Sequence, residues 1–190
     1  MKHPEVFIIP IMMLSDYFLT VWGVILSEKK YQQHFKIEHY ELNPIWQKNI
    51  ANKQWFNPKH LIAVAVVAVF CLVWSNGWTD PDAISEGLFG FFTILYASII
   101  GNHLSNVFTF SYVIRHPENV SGEVTTSYLL ALKTSQFHAL SLFFILFVIA
   151  IFSPTPFVIG GACSQMARLF NRWRWLAKAN AQKKVPPKIL

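Results

Sequence analysis

Apolar residues come in long blocks along this chain, and polar residues collect between them. A bilayer crossing needs about 20 predominantly apolar residues, and blocks of that kind occupy 6–27, 60–78, 84–114 and about 129–152. A fifth block, 157–170, is shorter. At about 1.5 Å per residue it reaches only about 21 Å against a hydrocarbon core of about 30 Å, which implies local thinning, snorkelling of Arg168 or a re-entrant path.

Helix starts are marked by pairs that put a side-chain acceptor at the N-cap and proline at the first helical position: Asn57-Pro58, Asp80-Pro81 and Thr155-Pro156. Asn43-Pro44 repeats the signal and predicts a short helix over 45–56, whose Ile45, Trp46, Ile50 and Trp55 suit a membrane interface. The pattern predicts an all-α fold: a polytopic membrane helix bundle of five crossings, the fifth short, with an interfacial helix in the first connection. Residues 1–182 form the single bundle and 183–190 a basic tail. The first block has no small-x-small cleavage site and is expected to remain as a span.

Composition supports this reading, with 53% hydrophobic and 14% charged residues, whereas soluble domains carry about 25% charged. The net charge of +6 could suggest nucleic acid, but the basic residues flank apolar blocks, where membrane anchoring accounts for them. Both cysteines, Cys71 and Cys163, sit inside apolar blocks without metal-ligand spacing and read as core residues.

Lys and Arg are distributed unevenly between the blocks. Lys29, Lys30, Lys36, Lys48, Lys53 and Lys59 lie in the first connection, none in the second, Arg115 and Lys133 in the third, and Arg168, Arg172, Arg174, Lys178, Lys183, Lys184 and Lys188 at the end. Five crossings with the N-terminus outside place every basic residue but Lys2 on the cytoplasmic side, whereas four crossings divide them evenly. The acidic second connection, with Asp80 and Asp82 beside Trp74 and Trp78, then faces outward. Trp173 and Trp175, interleaved with Arg172 and Arg174, mark the inner interface. The expected location is a prokaryotic inner membrane, with the C-terminus cytoplasmic.

An ionisable group in mid-span is costly enough to need a partner or a task. Asp16 is such a group, and Asp16, Thr20, Gly23 and Ser27 follow at helical spacing as one polar and small face. On the third span Ser98, Asn102, Asn106 and Thr109 share a side with His103 next to them, while Gly90, Ala97 and Gly101 predict close helix approach, Ala97 and Gly101 as a small-xxx-small pair. Asp16 and His103 stand at equal depth from the inner ends of their spans, so a shared site is geometrically reasonable; the alternatives are a structural hydrogen bond or no contact. His138, with Thr134 and Ser141, extends the polar interior or serves as a packed histidine. The substrate- or ion-binding candidates are therefore Asp16, Thr20, Asn102, His103, Asn106 and His138.

His34, Glu38, His39 and Glu41 superficially resemble a metal cluster but lack ligand spacing and read as a solvated loop. No P-loop, G-x-S-x-G or G-x-G-x-x-G pattern occurs in the sequence. The glycosylation pattern at Asn119-Val120-Ser121 falls on the inner side. Asp16-x-x-x-Thr20, followed by Glu41-x-Asn43-Pro44 and by Lys59 opening the second span, resembles an uncharacterised prokaryotic membrane family marked by D-x-x-x-T and E-x-N-P. The resemblance covers the first third of the chain and implies a membrane bundle of unknown activity.

Three functions fit these patterns: a small transporter or channel-like protein using Asp16, a non-catalytic accessory or scaffold subunit, and an intramembrane metal-dependent enzyme with Asp16, His103 and His138 as ligands. The metal and any cofactor are left open. Partners are the lipid bilayer together with a second copy or a membrane-complex subunit, and not nucleic acid.

Overall fold

A computed structural model describes residues 4–29, 31–38, 40–43, 45–77 and 83–183. After a 3-10 turn at Pro4–Phe7 come α1 (Ile8–Ser27), α2 (Gln47–Ala51), α3 (Pro58–Gly77), α4 (Ala83–Arg115), α5 (Tyr128–Phe152) and α6 (Pro156–Lys183). Four of the described helical stretches, Glu5–Ser27, Pro58–Asn76, Ala83–Arg115 and Tyr128–Phe152, are long and apolar enough to cross a membrane. The body of the chain is thus a helical bundle with the character of a membrane-embedded protein.

Two of the proline-marked starts have the capping geometry that their residues imply. Asn57 Oδ1 accepts from the Lys59 amide at 3.0 Å, and Thr155 Oγ1 accepts from the Val158 amide at 3.3 Å. Ser127 caps α5 in the same way, accepting from the Leu130 amide at 3.3 Å. Asp80-Pro81, together with Trp78 and Asp82, lies outside the described residues, as do Pro44, His39 and most of the basic tail.

The helix expected over 45–56 shrinks to the five residues of α2. Asn43 Oδ1 accepts from the Ile45 amide at 3.1 Å, which makes a turn rather than a helical cap, and Lys53 closes the segment in the left-handed region at φ 53°. Ile50 is buried against Tyr17, Val21 and Val24, with Trp46 packed on the same cluster. These apolar side chains therefore dock on the bundle itself; Ile45, Trp55 and Phe56 remain exposed.

Helix directions follow from the contacts. Asp16 meets His103 and Leu26 meets Val107 and Phe110, so α1 and α4 run parallel. Gly160 meets Gly87 and Arg168 meets Ser98, so α4 and α6 also run parallel. Tyr17 stacks on His60 at 4.5 Å where α3 begins beside α1, and Arg172 late in α6 reaches Ser135 early in α5, so these last two helices, joined by a short turn, run antiparallel. The packing order is α3, α1, α4, α6, α5.

Packing between α4 and α6 corrects the expectation for Gly101. A Cβ at Gly101 would meet nothing within 4 Å, and Ala97 and Gly101 are both exposed. The close approach lies nearer the N-terminal end of α4, where a Cβ at Gly90 would overlap the Phe157 backbone and one at Gly160 the Gly87 carbonyl. Gly160 and Gly161 admit α6 closely against α4, and the helix continues past 170 to Lys183, well beyond the short fifth block. Arg168, only 8% exposed, turns inward and donates from Nη1 to Ser98 Oγ at 2.9 Å instead of snorkelling to a surface. Cys71 is buried as expected, whereas Cys163 is exposed on the opposite face of α6 from this contact.

The first and third connections are joined by a ladder that the apolar pattern does not announce. Strands β1 (Phe35–Ile37) and β2 (Val124–Thr126) pair in parallel, Phe35 opposite Val124 and Ile37 opposite Thr126. The Val124 amide donates to His34 O at 2.7 Å, and the Tyr128 amide to Glu38 Oε2 at 2.7 Å. Both connections therefore sit at one end of the bundle, tied to each other by this ladder.

Candidate functional site

A cavity of about 970 Å³ is lined by α1, α3, α4, α5, α6 and by the first connection between Tyr31 and Trp46. It reaches Asp16. Helix α5 packs on α6 rather than on α1 or α3, and the cavity lies between it and those two helices.

Asp16 Oδ1 and His103 Nε2 are 3.1 Å apart. Thr20 organises the pair: its hydroxyl donates to the Asp16 backbone carbonyl at 2.7 Å, which uses its proton, so at 3.1 Å it accepts from His103 Nε2. Nε2 thus carries a proton shared between the carboxylate and the hydroxyl, which fixes the ring's tautomer or, with Nδ1 also protonated, an imidazolium. His103 Nδ1 is buried without a partner. The Asp16 and His103 side chains are 26% and 16% exposed, so they form part of the cavity wall rather than a sealed core pair.

Gly23 and Ser27 continue the inward face of α1. A Cβ at Gly23 would overlap the Tyr40 ring and hydroxyl, so glycine is what lets the first connection fold against α1. Of the other candidates, Asn102 and Asn106 line the cavity from α4, Asn106 beside the Tyr40 hydroxyl. His138 lines it from α5 without a hydrogen bond to Asp16 or His103. Thr109 does not line it. Among the described residues no three His, Cys, Asp or Glu side chains converge on a point that could hold a metal ion, so Asp16, His103 and His138 do not form a ligand set. His34 and Glu38 are taken up by the ladder, His34 Nδ1 lying 3.1 Å from Gly122 O.

The site contains charged groups beyond the six candidates. Glu41 lies on the cavity wall and its Oε1 accepts from the Asn43 amide at 2.6 Å. Burial raises its carboxyl above the ordinary carboxylate range, and the charge of Asp16 adds to the rise. Neighbouring Tyr40 is pushed up to about 12, chiefly by burial. From α6 come Arg168 and Arg172, the latter donating from Nε to Ser135 Oγ at 3.0 Å with its guanidinium 4.6 Å from the centre of the Trp175 ring. Gln165, fully buried, joins them through Nε2 to Ser98 Oγ at 3.3 Å. A signal for this face exists in the sequence: Gly161, Ser164, Gln165, Arg168 and Arg172 recur at helical spacing, a polar stripe obscured by treating 157–170 as a separate apolar block.

Comparison of the chain with family models, with curated proteins and with solved structures found no match in any of the three.

The raised Glu41 carboxyl has a consequence for stability. A carboxyl whose folded value exceeds its unfolded one binds the proton more tightly when folded; its contribution is complete at pH below the unfolded value and is lost as pH rises through the folded value. Thermal unfolding in detergent, followed upward from acid pH, should show this loss, and Glu41→Gln should flatten it. An identical pH slope in the variant would place Glu41 in ordinary water.

Proposed function

We propose that this chain is a small membrane transporter or channel-like protein that admits a small polar solute or ion to a cavity whose wall carries the Asp16–His103 pair. The observation that carries the reading is the cavity itself: a carboxyl–imidazole pair placed at mid-helix is reached by a space large enough for a solute. Proton transfer at Asp16 would break the pair, and the loosened contact between α1 and α4 would let the cavity change its exposure. Asn102, Asn106 and Thr20 supply hydrogen bonds to the occupant or to the pair, and His138 faces the occupant from α5.

In this reading α6 is the fifth crossing, since its helix is about 42 Å long at about 1.5 Å per residue. The N-terminus is outside, and the first and third connections and the tail are cytoplasmic in a prokaryotic inner membrane. The shared end of those two connections agrees with their shared excess of Lys and Arg.

The test uses access, which requires no knowledge of the substrate. With Cys71 and Cys163 replaced by serine, a cysteine introduced at Asn106 should react with a membrane-impermeant maleimide from the cytoplasmic side of vesicles. Its rate should change severalfold with pH, and Asp16→Asn should abolish that change. Labelling that ignores pH in the parent would remove the transport reading. The scaffold reading has one observation of its own, the unpacked Ala97 and Gly101 face of α4, and a stoichiometric partner co-purifying through that face would favour it.

A further inference from the structure

We infer that the α6 wall of the cavity, at Arg168 and Arg172, is a binding site for a phosphate group. The inference rests on the cavity being open to an occupant, as in the functional reading above, but not on any transport cycle.

Arg168 and Arg172 stand four residues apart on one face of α6, which brings two positive charges to the same wall of the cavity, about 6 Å apart along the helix. A buried guanidinium ordinarily faces a carboxylate, because a charge withdrawn from water without a partner is strongly destabilising. Among the described residues no ion pair involves Arg168 or Arg172. Asp16 is committed to His103, and the Glu41 carboxyl is turned to the Asn43 amide.

Their protein partners are neutral and few. Arg168 has Ser98, and Arg172 has Ser135 and the face of Trp175. A guanidinium carries five N–H donors, and of these Arg168 Nε and Arg172 Nη1 are buried without any acceptor. Arg168 is more than nine-tenths buried. The two serines and the tryptophan hold the forks in place; Asp16 and Glu41 act on Arg168 and Arg172 through space without forming an ion pair, so the charge is only partly offset and the hydrogen-bonding capacity is left unmet.

What would answer both is an oxyanion with several acceptor oxygens and up to two negative charges, which describes phosphate. Asn171 and Trp175 line the same wall; the amide can donate a further hydrogen bond to a phosphate oxygen, and the ring offers an apolar surface beside it. The phosphate can come from water, as a free anion, or from the bilayer, as a lipid headgroup entering between α5 and α3.

The experiment measures binding of inorganic phosphate to the purified protein in detergent by calorimetry, and of phosphatidic acid to the protein in nanodiscs that otherwise contain only phosphatidylcholine. Binding of inorganic phosphate assigns a soluble source; binding of phosphatidic acid alone assigns the lipid. Either supports the site, provided that Arg168→Gln and Arg172→Gln each weaken it about tenfold or more while Arg174→Gln, on the exposed side of α6, does not. Should a glutamine variant fail to fold, the corresponding Arg→Lys variant, which keeps the charge and loses the planar fork, should bind severalfold more weakly. No binding of either probe by the folded parent, or binding indifferent to both arginines, overturns the assignment. If phosphate binds but the cysteine at Asn106 shows no pH-dependent access, the site stands and the transport reading fails. Gated access without phosphate binding overturns the site and leaves the transport reading standing.

Discussion

Replacing Gly160 with leucine should destabilise the bundle by about 1–3 kcal/mol or more, the usual range for forcing a side chain into an already filled contact, whereas Gly101→Leu should change stability by less than about 0.5 kcal/mol. At Gly160 the obstacle is the Gly87 backbone carbonyl, which cannot rotate away, and at Gly90 it is the Phe157 backbone. The obstacle at Gly23 is the far end of the Tyr40 side chain, which can swing aside at the cost of its packing. Gly101 meets nothing. Thermal unfolding of the two leucine variants in detergent and again in bilayers decides the matter. Equal losses at Gly160 and Gly101 would mean that α4 and α6 are not held together at their glycines.

The same contrast shows what could be read from the residues. The four strongly apolar helices were legible because long apolar runs with few charges have few alternative fates, and the caps at Asn57 and Thr155 because proline and an acceptor side chain act locally. The inward face of α1 was legible too, since Asp16, Thr20, Gly23 and Ser27 share one side of any helix. Which small residues form the contact was not: Ala97-x-x-x-Gly101 and Gly87-x-x-Gly90 are equally small, and only the arrival of Gly160 on α6 distinguishes them. The length of α6 was hidden because Arg168 and Arg172 look like the end of an apolar segment when their partners, Ser98 and Ser135, lie on other helices. The ladder between Phe35–Ile37 and Val124–Thr126 depends on two loops far apart in the chain. Three residues of ordinary composition on each side give no local sign of such a pairing.

A double-mutant cycle at Asp16 and His103 should give a coupling of about 1–3 kcal/mol, within the range for groups that share a hydrogen-bonding network. The two single variants should be unequal. His103→Ala leaves Asp16 ionised with its partner gone, and removing one member of a buried pair costs more than the pair contributed; partial exposure to the cavity moderates that cost. Asp16→Asn is milder, because the amide oxygen can still accept from His103 Nε2, and Thr20 still holds the ring through its own oxygen. The double variant Asp16→Asn/His103→Ala should therefore be more stable than His103→Ala alone, since the stranded charge is gone. Adding Thr20→Val to the parent should keep or strengthen the coupling, since His103 Nε2 then has only the carboxylate to serve. Additive effects of Asp16→Asn and His103→Ala on thermal unfolding would show that the 3.1 Å approach carries no energy. The pair would then be two separate polar groups on a shared wall, and a proton leaving one would have no means of moving α1 against α4.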